Sequence, residues 1–312
     1  IRWTASDSLS GVDPATTPAD SVVTGEGADL GAGPVTVADR AGNTASTSVR
    51  GLKIDRTPPI IAIETPEPGA ALPVGTALRF GAADSLSGVA GLAAKLDDGA
   101  SIVPVTSGHT PAAGLYALIV EATDQAGNRA ADSRAFVVYA PTAGFLVGAG
   151  QIDSPAGASV SDPALTGRAL FSLFAIYPRG ASAPTGRALF RLSHSMDFQG
   201  NSLDWLVISG SRAVMQGSGH INGRGSCGFL VSVIDGQNAG GDRFRIKIWD
   251  KAAGGQVVYD SQPGALNTAS PKTPVAAGAI MIIRGSQSAA AVVPRIELPG
   301  LDLGPQLPAE WR

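Results

Sequence analysis

The side chains from which a reactive centre would be built are sparse and scattered in this chain of 312 residues. Its histidines, His109, His194 and His220, show no metal-ligand spacing and no neighbouring acid, so they read as surface or turn positions. A single cysteine, Cys227, excludes an intrachain disulfide and any cysteine-based zinc site. No nucleophile-elbow G-x-S-x-G occurs. The stretch Gly217-Ser218-Gly219-His220-Ile221-Asn222-Gly223 has neither Walker spacing nor its lysine, and reads as a hairpin. Neither catalytic nor cofactor-binding residues are assigned, and the chain is expected not to be an enzyme.

The acids are lopsided, with 20 Asp against 6 Glu. The short Asp carboxylate bonds nearby backbone N–H groups and favours turns, whereas Glu favours helices. The alternative use of such turn carboxylates is calcium, which takes flexible, all-oxygen shells. The strongest metal candidate is the Gly-rich loop from Asp235 to Asp242, with Asp235, Asn238 and Asp242 as ligands. It lacks the bidentate Glu of an EF-hand, and an ordinary loop is the competing reading. Directly after it, Arg243, Arg245 and Lys247 alternate with Phe244, Ile246 and Ile248, which places a basic row on one face of a strand. That row is expected to face solvent, where it offers a surface to a polysaccharide or a partner.

The elements that position these residues are short strands. The chain has 40 Gly and 22 Pro spread between apolar runs, and no convincing helical periodicity. The formal net charge of −3 gives no reason to expect nucleic acid or an anionic membrane as partner. No apolar run is long enough to span a bilayer, so membrane insertion is not expected. Length suggests two or three domains.

An octet organises the first half. Ala5-Ser6-Asp7-Ser8-Leu9-Ser10-Gly11-Val12 returns as Ala82-Ala83-Asp84-Ser85-Leu86-Ser87-Gly88-Val89, an offset of 77 residues. Asp39-Arg40-Ala41-Gly42-Asn43 returns as Asp124-Gln125-Ala126-Gly127-Asn128, an offset of 85. Each D-x-A-G-N reads as a turn whose Gly takes positive φ. Expected strands are Ile1–Ala5, Pro34–Ala38 and Thr44–Ile54, then Ile60–Ile63, Ala77–Phe80, Leu115–Val120 and Arg134–Tyr139. Asp55-Arg56-Thr57-Pro58-Pro59 is a stiff linker. With Gly51-Leu52-Lys53-Ile54 ahead of it and Trp3-Thr4 before the octet, residues 1–140 resemble the tandem bacterial immunoglobulin-like repeats of large secreted and cell-surface proteins. The resemblance implies a spacer or adhesive stalk and carries no catalytic residue.

The remainder differs in texture. The echo Thr166–Phe171 and Thr185–Phe190, with strands expected at 204–208, 228–234, 243–249, 256–259 and 279–283, gives eight or more strands and a second, jelly-roll-like sandwich. Gly150–Pro155, Gly219–Gly223, Asp242–Asp250 and Val257–Asp260 resemble a C-terminal module found after choice-of-anchor or immunoglobulin-like domains in secreted bacterial proteins. That resemblance implies an extracellular setting. The expected fold class is all-β: an N-terminally incomplete immunoglobulin-like domain (1–56), a complete one (57–140), the C-terminal sandwich (141–285) and an extended tail (286–312).

Aligning the octets maps Ile1 onto Leu78, so about twenty residues of the second module have no counterpart in the first. A sandwich lacking a strand exposes unpaired backbone and an apolar groove. The tail alternates apolar and charged residues between prolines, and its 27 residues extend up to roughly 90 Å. The expectation is donor-strand complementation, in which Val292, Val293, Ile296, Leu298, Leu301, Leu303 and Trp311 of one subunit meet Ile1 and Trp3 of the next. The contact would be head to tail, and the partner another copy of the chain. The competing reading makes the chain the stalk and carbohydrate-binding accessory region of a secreted hydrolase.

Overall fold

The computed structural model describes residues 1–142, 144–192, 195–236 and 240–285. The tail positions Val292, Val293, Ile296, Leu298, Leu301, Leu303 and Trp311, together with Asn238 and His194, lie outside the described residues. The protein is all-β. Among the described residues no helix is long and apolar enough to cross a membrane.

The chain divides into two compact units, the first made of Ile1–Ile63, Phe80–Ala94 and Val120–Asp132. Its first regular element is a one-turn 3₁₀ segment, Pro14–Thr16, capped by the Asp13 carboxylate on Ala15 N at 3.0 Å. Strands β1 (Gly27–Ala38) and β2 (Thr44–Ile54) follow as a hairpin, paired from Ala38↔Thr44 back to Gly27↔Ile54. Asp39–Asn43 makes the turn, with Gly42 at φ +89°, as expected of D-x-A-G-N. No residue of either strand is buried, and the half-buried positions are Leu30, Val35, Val37, Val49, Leu52 and their like. The two strands form a sheet of their own. The expected strand at Ile1–Ala5 does not form; Ile1 and Trp3 instead bond Ser21, Trp3 through Nε1 to Oγ at 2.9 Å.

The second module supplies β3 (Ile60–Thr65), β4 (Ala71–Pro73), β5 (Arg79–Ala83), β6 (Val89–Asp97), β7 (Ile102–Val105), β8 (Gly114–Asp124) and β9 (Arg129–Tyr139). β3 pairs with β5, and the order of the larger sheet is β4-β9-β8-β6-β7. β3, β5, β6, β8 and β9 each have residues in both units. Sequence offset makes β8 and β9 the counterparts of β1 and β2. The counterpart of β6 is where the modules part company: after its octet the first module has Pro14 and Pro18, and proline cannot donate to a ladder. At the outer strand β7, Pro104 likewise blunts the free edge.

The second unit holds Glu64–Arg79, Lys95–Ile119 and the chain from Ser133 onward. Its main body comprises β10 (Gly144–Ser154), β11 (Gly167–Ile176), β12 (Thr185–Leu192), β13 (Met196–Ser209), β14 (Arg212–Ile221), β15 (Arg224–Ile234), β16 (Arg243–Asp250), β17 (Gln256–Asp260), β18 (Thr273–Pro274) and β19 (Ala277–Arg284). The order is β17-β16-β15-β14-β13-β12-β11-β10-β19, with β18 pairing β16; from β10 to β17 it is a meander of sequence neighbours rather than the Greek-key crossings of a jelly roll. Short turns permit this; Asn222 at φ 51° and Gly223 at φ 72° join β14 to β15 as an Asn-Gly hairpin.

The sheet curls until its inner face meets itself. Phe171 on β11 and Phe244 on β16 stand five strands apart in the order, yet their rings stack 4.3 Å apart. Phe190, Phe198, Phe229 and Tyr259 complete this core with the Leu, Ile and Val of every second position. The outer face of β13–β15 is buried too, where Trp205, Val207, Val214 and Leu230 pack on Leu115 and Val137. Strands covered on both faces read as continuous apolar runs, as in Trp205-Leu206-Val207-Ile208.

Burial on both faces overturns the expected basic surface. Arg245 has no exposure at all: it makes a bidentate pair with Asp260 (Nε–Oδ1 3.1 Å, Nη2–Oδ2 2.9 Å) and donates to Leu266 O at 2.6 Å and Ala265 O at 2.8 Å. Arg243 donates to Lys272 O and Gly240 O, and Lys247 to Asn267 Oδ1. The segment 262–272 thus lies as a strap across the row. Arg212 holds the same strap through Thr268 O and Ala269 O at 3.1 and 2.9 Å.

Candidate functional site

Each octet forms a turn around its own aspartate. Asp84 Oδ1 accepts from Leu86 N (3.2 Å), Ser87 N (2.9 Å) and Gly88 N (2.7 Å). Asp7 Oδ1 accepts from Leu9 N (3.1 Å), Gly11 N (2.7 Å) and Ser10 Oγ (3.3 Å). Each D-x-A-G-N turn is closed in the same way. Asp124 accepts Asn128 N at 2.8 Å on Oδ1 and Asn128 Nδ2 at 2.7 Å on Oδ2, and Asp39 accepts Asn43 N and Nδ2 at the same distances. The two motifs of a module then bond each other: Arg40 N donates to Gly11 O at 3.0 Å, and Gln125 N donates to Gly88 O at 2.9 Å. The repeated words of the sequence are therefore halves of one structural device, built twice.

In the second module this device holds a third party. Asp55 of the linker accepts Ser87 N on Oδ2 at 3.0 Å, and Asn128 Nδ2 reaches Asp55 O at 3.3 Å and Thr57 O at 3.5 Å. Asp55 Oδ1 accepts Thr57 N at 3.1 Å, which keeps the linker's own bend. On its other side the linker is fixed to the first module: Glu26 Oε1 accepts Arg56 N (3.0 Å) and Thr57 N (2.9 Å), and Arg56 Nη1 donates to Thr24 O (2.8 Å) and Gly25 O (2.9 Å).

The seated linker brings three carboxylates together. Asp55, Asp84 and Asp124 each place an oxygen within 4.8 Å of the others, with Asp124 buried and the other two half-buried. Such an all-oxygen set has the chemistry of a hard divalent cation site. The donors already aimed at it are backbone N–H groups and the Asn128 amide, which offset the crowding of negative charge. Burial pushes Asp124 up, but the Asn128 side chain and the N–H groups of Asn128, Gly127 and Ala126 outweigh it and hold the carboxyl below its ordinary value. In the first module the N–H of Gly11 lowers Asp7 and the Asn43 amide lowers Asp39.

Of the residues expected as calcium ligands, the described ones, Asp235 and Asp242, lie apart from this group and accept backbone donors. Asp242 accepts Gly236 N on Oδ1 (2.9 Å) and Ile280 N on Oδ2 (2.6 Å), and buried Asp235 accepts Ile282 N at 2.9 Å. Ile280 and Ile282 lie on β19, at the end of the sheet order, so these carboxylates cap backbone donors that no neighbouring strand takes. Sequence reasoning missed the Asp55–Asp84–Asp124 group. Its signal was present in the two repeated motifs and the linker aspartate between them.

No family model, curated protein or solved structure matches this chain.

Proposed function

We propose that this is a non-enzymatic structural or adhesive protein of an extracellular bacterial surface, whose copies join head to tail by donor-strand complementation. The observation that carries the reading is the β1–β2 hairpin. It forms a two-stranded sheet with no buried residue, whereas its counterparts β8 and β9 are central in a five-stranded sheet. An isolated hairpin is marginal in water, and its half-covered row of Leu30, Val35, Val37, Val49 and Leu52 is suited to a further strand. The likeness of residues 1–140 to tandem bacterial immunoglobulin-like repeats supports the setting. The donor in this reading is the alternating tail, with Val292, Val293, Ile296, Leu298, Leu301, Leu303 and Trp311 as its apolar positions. The accessory-region reading loses its basic glycan surface, because Arg245 is buried and Arg243 and Lys247 bond the strap.

The test is a size measurement on the full chain and on a chain lacking residues 292–312, by sedimentation and electron microscopy. Large ordered assemblies are expected from the first and monomers from the second. Polymers unchanged by the deletion would sink the donor-strand reading, and a monomeric full chain would sink the filament.

A further inference from the structure

One cleft of the second unit takes no part in the contacts above. Its volume is about 950 Å³, and its described lining lies wholly within that unit. Clefts that seat small molecules run from about 300 to 1,000 Å³, so this one has room for a short oligomer. Strand ends build it. Phe145 and Ile176, paired across β10 and β11, line it from the main sheet. Pro73 and Tyr139, paired across β4 and β9, line it from the second module, and Tyr139 O accepts Val74 N at 2.9 Å. The aromatic wall is held firmly. The rings of Tyr139 and Tyr177 stack with centroids 5.5 Å apart and 13° between their planes. Tyr177 is buried and its Oη accepts Leu206 N at 3.2 Å, which fixes the inner ring. Tyr139 is half-buried, so the outer ring is the one a ligand reaches.

Directly after Tyr177, residues 178–181 form a turn closed by Ala181 N on Pro178 O at 2.9 Å, with Gly180 at φ +79°. That turn carries the exposed Arg179 to the cleft. The Arg179 guanidinium and the hydroxyls of Tyr139, Thr142 and Ser182 have no hydrogen-bonding partner among the described residues. Arg179 is also the one charged side chain in the described lining, so the cleft is complementary to an anion. A guanidinium matches a planar carboxylate, which accepts two parallel N–H groups. A purely apolar ligand would strip water from these four polar groups and pair none of them. A sugar ring meets both needs: its hydroxyls bond the Thr and Ser side chains, and its C–H face packs on a tyrosine ring.

We infer that this cleft is a binding site for an acidic sugar, a uronate unit of a glycan. Its carboxylate pairs with Arg179, one face of its ring lies against Tyr139, and its hydroxyls bond Thr142 and Ser182. The site gives the adhesive reading a ligand and is independent of how copies join, so a monomeric chain binds too.

The test is calorimetric titration of the full chain with short oligomers of galacturonic, glucuronic and mannuronic acid, beside the methyl esters of the same sugars. At least one acid is expected to bind, about tenfold or more tightly than its ester. Arg179→Ala should abolish that preference without changing thermal unfolding, because the side chain is exposed and makes no bond among the described residues. Arg168→Ala, at the opposite end of β11, should leave the preference intact. Failure of all three acids to bind would overturn the inference. So would equal affinity for acid and ester, or a preference that survives Arg179→Ala. Equal losses from the two arginine variants would reduce the site to diffuse attraction between charges, and overturn it as well. Binding seen only after residues 292–312 are removed would make the tail the occupant of the cleft instead. A chain that binds uronate and stays monomeric would sink the filament and leave this site standing.

Discussion

Replacing Asp260 by Ala should unlatch the strap at 262–272. The carboxylate gives Arg245 two charge-assisted bonds, at 3.1 and 2.9 Å, and accepts Gln262 N at 2.9 Å. Arg245 has no exposure, so water does not replace the lost partner. Breaking a buried pair from one side costs about 3–5 kcal/mol, because the remaining charge is left buried. Here the Leu266 and Ala265 carbonyls stay bonded to the guanidinium, which places the expectation near the lower limit, about 3 kcal/mol. Expressed as local opening, that is roughly a hundredfold faster hydrogen exchange across 262–272, since each 1.4 kcal/mol is tenfold. Mass-spectrometric exchange on the intact chain reads it directly, with urea unfolding followed by tryptophan fluorescence as the global measure. The double change Arg245→Met with Asp260→Leu removes both charges and should recover part of the loss, the shortfall reporting the strap's own bonds. A loss below about 1 kcal/mol with unchanged exchange in the strap would refute the view that this pair holds it.

Two further outcomes follow from the carboxylates. Asp242→Ala should leave Ile280 N–H without its acceptor, cost about 1–3 kcal/mol and speed exchange at Ile280, while amides of β13 stay protected; unchanged exchange at Ile280 would show that the cap contributes nothing. Asp7, Asp39 and Asp124 have folded pKa values below the ordinary 3.8, so the stability they add is complete above about pH 4 and is lost as pH falls through the folded values. Acid titration followed by Trp3 emission should therefore show the first unit loosening only below about pH 4, and a transition nearer neutrality would contradict the assignment.

Much of the fold was legible because its signals were local. Alternation and turn chemistry placed the hairpin β1–β2 around D-x-A-G-N, and the Asn222-Gly223 turn fell where the Gly-rich stretch suggested. What failed depended on distant chain. The alternation Arg243-Phe244-Arg245-Ile246-Lys247 correctly separates two faces of β16, but only the path of 262–272 decides that the basic face is covered. The composition of the Asp235–Asp242 loop likewise does not reveal that backbone donors of β19, some forty residues on, bond its two aspartates. Ile1–Ala5 has a strand-like composition, yet it pairs with no strand among the described residues, and Ile1 and Trp3 bond Ser21. The carboxylate group was hidden for the same reason: Asp55, Asp84 and Asp124 are far apart in sequence, and only the repeated wiring of the turns brings them together.

The linker at residues 55–59 has a mechanical meaning as well. It is bolted on one side through Arg56 and Glu26 and on the other through Asp55 and Asn128, so it has few free torsions left to act as a swivel. A pull along the chain would meet hydrogen bonds on both sides of Arg56 before any strand is loaded. These bonds make the segment a stiff coupling that resists bending and yields in small steps, a property set by two turns and one short stretch of proline-locked backbone.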